Sequence, residues 1–192
     1  KMLGYEVASP RAPVATINVS LITSNATATM PAGTTFTTKV DGINYKFVTV
    51  EDVTKQNTGN FIPFDSTEIY EGTYATTKYV VDSNDVDQRF MLTDVRADTS
   101  TLRVRVQNSS TDTTTTTYTK ATDITQLSSS STVYYLQETE SGKFEVYFGD
   151  GATSVAVSDG NIVTLNYVIT NKTLANGASV FTSPGAIDTV TN

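Results

Sequence analysis

The stretch Ala15-Thr16-Ile17-Asn18-Val19-Ser20-Leu21 alternates apolar and polar side chains without a break. In an extended strand successive side chains point to opposite faces. Ala15, Ile17, Val19 and Leu21 therefore share one face, and Thr16, Asn18 and Ser20 the other. The same period returns along the chain. Leu102, Val104 and Val106 alternate with Arg103, Arg105 and Gln107. Phe144, Val146 and Phe148 form a face opposite Glu145 and Tyr147. Val163, Leu165, Tyr167 and Ile169 make a fourth, and Ile162 and Val168 on the other side of that segment predict burial on both faces.

Turn residues separate these runs. Pro31-Ala32-Gly33 precedes a strand at residues 34–39, and Asp41-Gly42 joins it to a strand at 45–50 as a hairpin. Ser141-Gly142 lies between strands at 134–138 and 144–148, while Gly149-Asp150-Gly151 and Asp159-Gly160 mark two further turns. Residues 55–59 read as an exposed loop. Residues 108–117, NSSTDTTTTT, read either as a flexible linker or as a Thr-rich edge strand or long hairpin; residues 128–132, SSSST, are a second polar stretch. Apolar residues never recur at a 3.6 spacing for long, and no fixed-period repeat is visible. Short strands with turns at this spacing predict a mainly β fold, sandwich-like or barrel-like, with few or no long helices.

Composition removes whole classes of chemistry. The chain has 192 residues, enough for one or two domains with a real core. It has no His and no Cys. A Ser-His-Asp triad, a thiol nucleophile, a thiolate metal site and a His-ligated zinc or haem are all excluded. Absence of Cys is compatible with a reducing compartment. The formal charge is −7, with positive residues scattered, so neither nucleic acid nor an anionic membrane is an expected partner. No apolar run is long enough to span a bilayer as a helix. The chain opens with Lys1 rather than Met, which reads as a piece of a longer polypeptide.

Each remaining candidate site has a plainer reading. Gly149-Asp150-Gly151 lacks the Lys and following helix of a phosphate loop and reads as a hairpin turn whose glycines supply positive φ. Asp82, Asn84, Asp85 and Asp87 miss the calcium-loop spacing, because Val86 occupies the fifth position and no Gly follows. Glu138, Glu140 and Glu145 sit on a hairpin without the Trp of a typical sugar site and read as an exposed rim. Four Asn-X-Ser/Thr matches, at Asn18, Asn25, Asn108 and Asn171, are what chance supplies in so Ser- and Thr-rich a chain. Tyr70, Tyr74, Tyr79, Tyr134 and Tyr135 are interface candidates if exposed and core residues otherwise. No catalytic, cofactor-binding or metal-ligating residue is expected, no cofactor and no small-molecule substrate.

Residues 144–160 read FEVYFGDGATSVAVSDG, followed by Asn161-Ile162-Val163, Tyr167 and Ala175-Asn176-Gly177-Ala178. Upstream stand Leu3-Gly4-Tyr5, the strand at 15–21, Met30-Pro31-Ala32-Gly33-Thr34-Thr35-Phe36, and Tyr70-Glu71-Gly72. This order resembles the baseplate J-like family of contractile-tailed phages, and within it the T-even-type baseplate wedge proteins, over residues 3–181. One departure is the absence of Gly from residues 152–157. The resemblance implies an outer β domain from residues 1–78 and 171–192, with a second β domain, residues 79–170, inserted into it. It implies a fragment of a structural protein of the virion tail, assembled in the host bacterial cytoplasm. Other wedge proteins and copies of itself would be its partners. Rigid β domains would reorient on tail contraction, with residues 81–83 and 170–173 as hinges. The alternatives are a tail-associated receptor- or glycan-binding β module and, more distantly, a carboxylate-dependent polysaccharide hydrolase.

Overall fold

The computed structural model describes residues 8–122, 127–183 and 187. The Leu3-Gly4-Tyr5 motif lies outside the described residues. Among them are thirteen strands, one 3-10 turn at Lys172–Ala175 and no α-helix, so the fold is mainly β. The chain forms two compact units. The first holds Pro10–Tyr74 and the described residues from Val168 onward; the second holds Ala75–Tyr167 with Ala8 and Ser9.

The first unit is built from β1 (Val14–Ile22), β2 (Thr27–Met30), β3 (Thr35–Val40), β4 (Ile43–Val48), β5 (Val53–Gln56) and β6 (Phe61–Glu71). Four strands make an antiparallel sheet in the order β1-β6-β4-β3, and β2 pairs with β5 as a separate ribbon. Burial along β1 alternates strictly between half-buried and exposed, as its sequence predicts. The apolar face packs against Met30, Phe36, Phe47, Ile62, Phe64 and Ile69. Asp41 and Gly42 both take positive φ, 49° and 86°, which suits the right-handed twist of a two-residue hairpin, and Val40 lies opposite Ile43. The expected loop at 55–59 is corrected at its start: Lys55 and Gln56 belong to β5, paired with Ala28 and Thr27. Their side chains are exposed; the strand is held by its pairing with β2, by the Thr29–Thr54 hydroxyl contact at 2.8 Å and by Val53 packing on the core, and it leaves no apolar alternation to read. A bulge interrupts β1–β6: Ile17 faces Thr67 and Val19 faces Phe64, so Asn18 opposes Asp65 and Ser66 together. Ser66 has φ 52° and donates its N–H to Asn18 Oδ1 at 2.8 Å.

The second unit contains β7 (Thr73–Val80), β8 (Phe90–Met91), β9 (Ala97–Gln107), β10 (Thr115–Lys120), β11 (Val133–Glu138), β12 (Phe144–Phe148) and β13 (Ile162–Ile169). The chain enters it within β7, between Tyr74 and Ala75, and leaves within β13, between Tyr167 and Val168. The sheet order is β7-β13-β9-β10-β11-β12-β8. Its two edge strands are stitched by side chains. The Tyr79 hydroxyl donates to the Met91 carbonyl at 2.8 Å and accepts from the Met91 N–H at 3.2 Å. The Gln88 amide donates to the Val80 carbonyl at 2.8 Å and accepts from the Asp82 N–H at 3.1 Å. The sheet therefore curls until its edges face each other, and side-chain groups satisfy backbone that a flat sheet would leave open. Burial raises the Tyr79 phenol above its ordinary pKa, which keeps it protonated as a donor. Edge-to-face contacts run inside the curl, from Tyr79 to Phe90, Phe90 to Phe148 and Phe148 to Tyr118, with centroids 5.2–5.7 Å apart. β13 is buried on both faces, with Leu165, Asn166, Tyr167 and Val168 all enclosed.

The Thr-rich segment is a hairpin. Asn108 N–H donates to the Thr114 carbonyl and Thr115 lies opposite Gln107. On the other side of β10, β11 pairs only with Thr119 and Lys120, beyond the Thr-rich stretch. The Asn108 side-chain amide, with help from Thr114, holds the Asp112 carboxyl down to about 2.

Gly149-Asp150-Gly151 is not a hairpin turn, which corrects the sequence expectation. β12 lies between β11 and β8, and the chain after Phe148 runs on through residues 149–161 before β13. Gly151 has positive φ, 87°, whereas Gly149 does not. Gly149 is required sterically: a Cβ there would overlap the Ser154 hydroxyl. Ser154 is fully buried and its hydroxyl has no hydrogen-bond partner among the described residues. Two substitutions should therefore couple. Gly149→Ala should destabilise by about 3 kcal/mol through overpacking. Ser154→Ala should be neutral or stabilising by about 1 kcal/mol, since it removes an unsatisfied buried hydroxyl. The double variant should recover most of the loss, because the nearest remaining atom would be the Ser154 Cβ at 3.1 Å. Urea denaturation of the four proteins measures this cycle, and simple additivity would refute the packing account.

Candidate functional site

No constellation for acid–base or metal chemistry assembles where the sequence offered carboxylates. The cluster at Asp82, Asn84, Asp85 and Asp87 is a turn that binds itself. Asp82 Oδ1 accepts from the Asn84 N–H at 2.9 Å, and Asp85 Oδ1 from the Asp87 N–H at 3.1 Å. Among the described residues no group of three or more acidic side chains is placed to hold a metal ion. Asp150 accepts from the Ala152 N–H at 3.0 Å, and those loop amides hold its carboxyl below the usual range. Glu138 and Glu145 lie on opposite faces of the β11–β12 hairpin, since Glu145 pairs with Gln137 and Glu138 with Phe144. Glu145 is not on an exposed rim: it is 8% exposed, with Arg89 Nη1 at 3.6 Å and Gln137 Nε2 at 3.4 Å. Those two neighbouring side chains lie against it, which alternation alone does not reveal.

The five candidate tyrosines are built into the units. Tyr134 is buried, Tyr79 closes the curl, Tyr70 donates to Glu68 at 2.8 Å, and the Tyr74 ring lies 3.1 Å from where a Gly33 Cβ would stand. Tyr135 stacks on Tyr147 with centroids 5.1 Å apart, and Tyr147, which the sequence reading did not single out, is the exposed member.

The most constrained place in the first unit is where β6 ends and β13 returns. Glu71, the last residue of β6, is completely buried. Its Oε2 accepts from the Thr170 hydroxyl at 2.8 Å and from the Asn171 N–H at 2.9 Å; its Oε1 accepts from Asn171 Nδ2 at 2.8 Å. Its own N–H donates to the Pro13 carbonyl, and the Gly72 N–H to the Lys46 carbonyl, both at 2.9 Å. Four chain segments are thereby bound at one point. Gly72 follows with φ 132°, and a Cβ on it would run into the Ile169 carbonyl. Behind it, Val168 is enclosed by Ala12, Val48 and Val50. The residues expected as hinges are held inside single units. Val81 N–H donates to Asn161 in the second unit at 2.8 Å, and Thr170 and Asn171 are bound to Glu71 in the first.

Tyr70-Glu71-Gly72 was legible as a motif, but nothing in it announced a buried carboxyl. That role needs partners about a hundred residues away. Glu71→Ala should leave the Thr170 hydroxyl and the Asn171 N–H unsatisfied and cost about 3 kcal/mol, read as a lower urea midpoint at unchanged slope. A loss below about 0.5 kcal/mol, the size of an ordinary surface substitution, would show that the clamp contributes little.

Comparison with known proteins bears on this arrangement. The family model described as bacteriophage baseplate wedge protein gp6, third domain, matches residues 75–181, which cover the second unit from Ala75 and run into the returning segment of the first. A relative, baseplate wedge protein gp6 of Enterobacteria phage T4, is 28% identical over 182 residues, covering 85% of this chain and 26% of the relative. The chain thus spans about a quarter of the length of the curated relative it matches. Since the family match takes in more than half of the 192 residues, the chain belongs to the bacteriophage baseplate wedge protein gp6 family.

Proposed function

We propose that this chain is a structural segment of the baseplate wedge in a contractile phage tail, within the inner ring, and that it works through protein–protein contacts. The observation that carries this reading is the family match over residues 75–181, a stretch in which the loop carboxylates of Asp82 and Asp150 are bound by their own turns. Its partners are other wedge proteins and copies of itself, its place is the virion tail, and assembly occurs in the host cytoplasm. The family's structural character points to a non-enzymatic role. The two units act as separate folding domains, one inserted in the other. Their orientation changes on contraction by flexing where β7 and β13 pass between them, at Tyr74–Ala75 and Tyr167–Val168.

A phage whose wedge protein lacks this segment is expected to yield no complete baseplates by electron microscopy; normal contracting tails would overturn the structural role. Maps of extended and contracted tails that superpose both units together would overturn the reorientation. A glycan-binding module remains the second reading, favoured by the outward Tyr135–Tyr147 stack, and glycan-array binding lost on Tyr147→Ala would support it.

A further inference from the structure

β1 is an edge strand. Among the described residues it pairs with β6 alone, so its other side presents backbone donors and acceptors along nine residues. Edges of this kind are ordinarily blunted by charge, proline or a bulge. Val14–Ile22 contains no charged residue and no proline. The bulge beside it is housed in β6, where Asp65 and Ser66 share the single partner Asn18, so the free edge of β1 stays regular.

The strand is also self-complementary. Laid antiparallel against itself with Asn18 opposite Asn18, it sets Val14 against Ile22, Ala15 against Leu21, Thr16 against Ser20 and Ile17 against Val19. Directly opposed residues in an antiparallel pair share a face. Every apolar residue of the core face thus meets another, and the polar pair falls outside. The same register covers Val14 and Ile22, 52% and 87% exposed, each with the other. A slip of one residue would turn core side chains to water. Although the chain carries a charge of −7, no like charges meet along the strand. Beside its centre lies an open groove of about 320 Å³ whose lining combines Ile17, Val19, Phe36 and Phe181 with polar residues that include Asn18 and Ser179. The core-facing Ile17 and Val19 of an incoming strand would fall there.

We propose that β1 pairs with β1 of a second copy, antiparallel about a two-fold axis at Asn18, joining the two four-stranded sheets into one. The contact is isologous, the same patch serving both copies. It stands on this edge alone and does not depend on the baseplate reading.

Sedimentation of the intact chain at rising concentration should show a monomer–dimer equilibrium, with slower amide exchange along β1 as the dimer forms. Thr16→Lys with Ser20→Lys places like charges opposite one another at both symmetric positions and should abolish the dimer. Thr16→Lys with Ser20→Glu places opposite charges there and should restore it. Both positions are exposed, so circular dichroism should report the same fold for all three proteins. A chain that stays monomeric throughout, or two double variants that sediment alike, overturns the proposal.

Discussion

Gly72→Ala is expected to be the most damaging single-methyl change in the first unit, lowering stability by about 4 kcal/mol or more. Two costs add. The first is conformational: φ at Gly72 is 132°, in a region that side-chain-bearing residues rarely enter. The second is steric: the new Cβ would meet the Ile169 carbonyl, which is backbone, and Val168 Cγ1 at 2.8 Å. Neither neighbour can yield cheaply. Val168 is wholly buried, and Ile169 leads directly into the Thr170 and Asn171 contacts with Glu71. Any shift that admits the methyl group therefore strains the clamp. Thermal and urea denaturation of the variant against the parent chain measure the loss. A shift within about 0.5 kcal/mol, typical of a surface substitution, would mean that the outgoing and returning segments are not packed as described.

Leu102→Asp should unfold the second unit, whereas Arg103→Asp should be mild. Leu102 is 4% exposed on the inner face of β9, between Thr101 and Arg103. Truncating a buried Leu costs about 2–5 kcal/mol, and an unpaired carboxylate in its place adds several more. Arg103 is half-buried on the opposite face, its guanidinium donating to the Leu102 carbonyl at 3.2 Å, and removing it forfeits contacts that water can partly replace. The deficit of Leu102→Asp should depend on pH. Burial raises a carboxyl pKa, so the introduced group is uncharged in the folded state over a range where it is ionised in the unfolded chain. The destabilisation is therefore smallest below about pH 4 and grows as pH rises from there. Hydrogen exchange should show protection lost across β9–β12 and retained across β1–β6, as expected if the two units fold separately. Equal effects from the two substitutions would refute the assignment of faces on β9.

Much of the architecture was legible because strand periodicity is local. The alternations at residues 15–21 and 102–107 needed only neighbouring residues, and both appear as read. Asp41-Gly42 was legible for the same reason, since a two-residue turn is decided by its own backbone conformations. The segment at 162–169 announced its double burial by carrying apolar residues on both faces. Legibility failed where a residue's role depends on distant partners. β5 is not legible because three of its four side chains are exposed and carry no pattern, and its partner β2 lies more than twenty residues upstream. Glu145 was assigned to a rim because alternation reports which way a side chain points, and not whether Arg89 and Gln137 lie over it. Gly149 was credited with a positive φ that it does not have; its real constraint is Ser154, five residues on but folded back against it.

The amino-acid sequence by itself determined that this protein is built from strands, that it holds neither thiol nor imidazole chemistry, and where most of its corners fall. Each of these follows from composition or from interactions spanning a few residues. Only the tertiary structure decided that Glu71 is a buried clamp, that Tyr79 and Gln88 close the edges of a curled sheet, and that β1, among the described residues, is left with a regular open edge. Which strands become neighbours, and which carboxyl loses its water, depends on closing loops of tens of residues, and no local period encodes that choice.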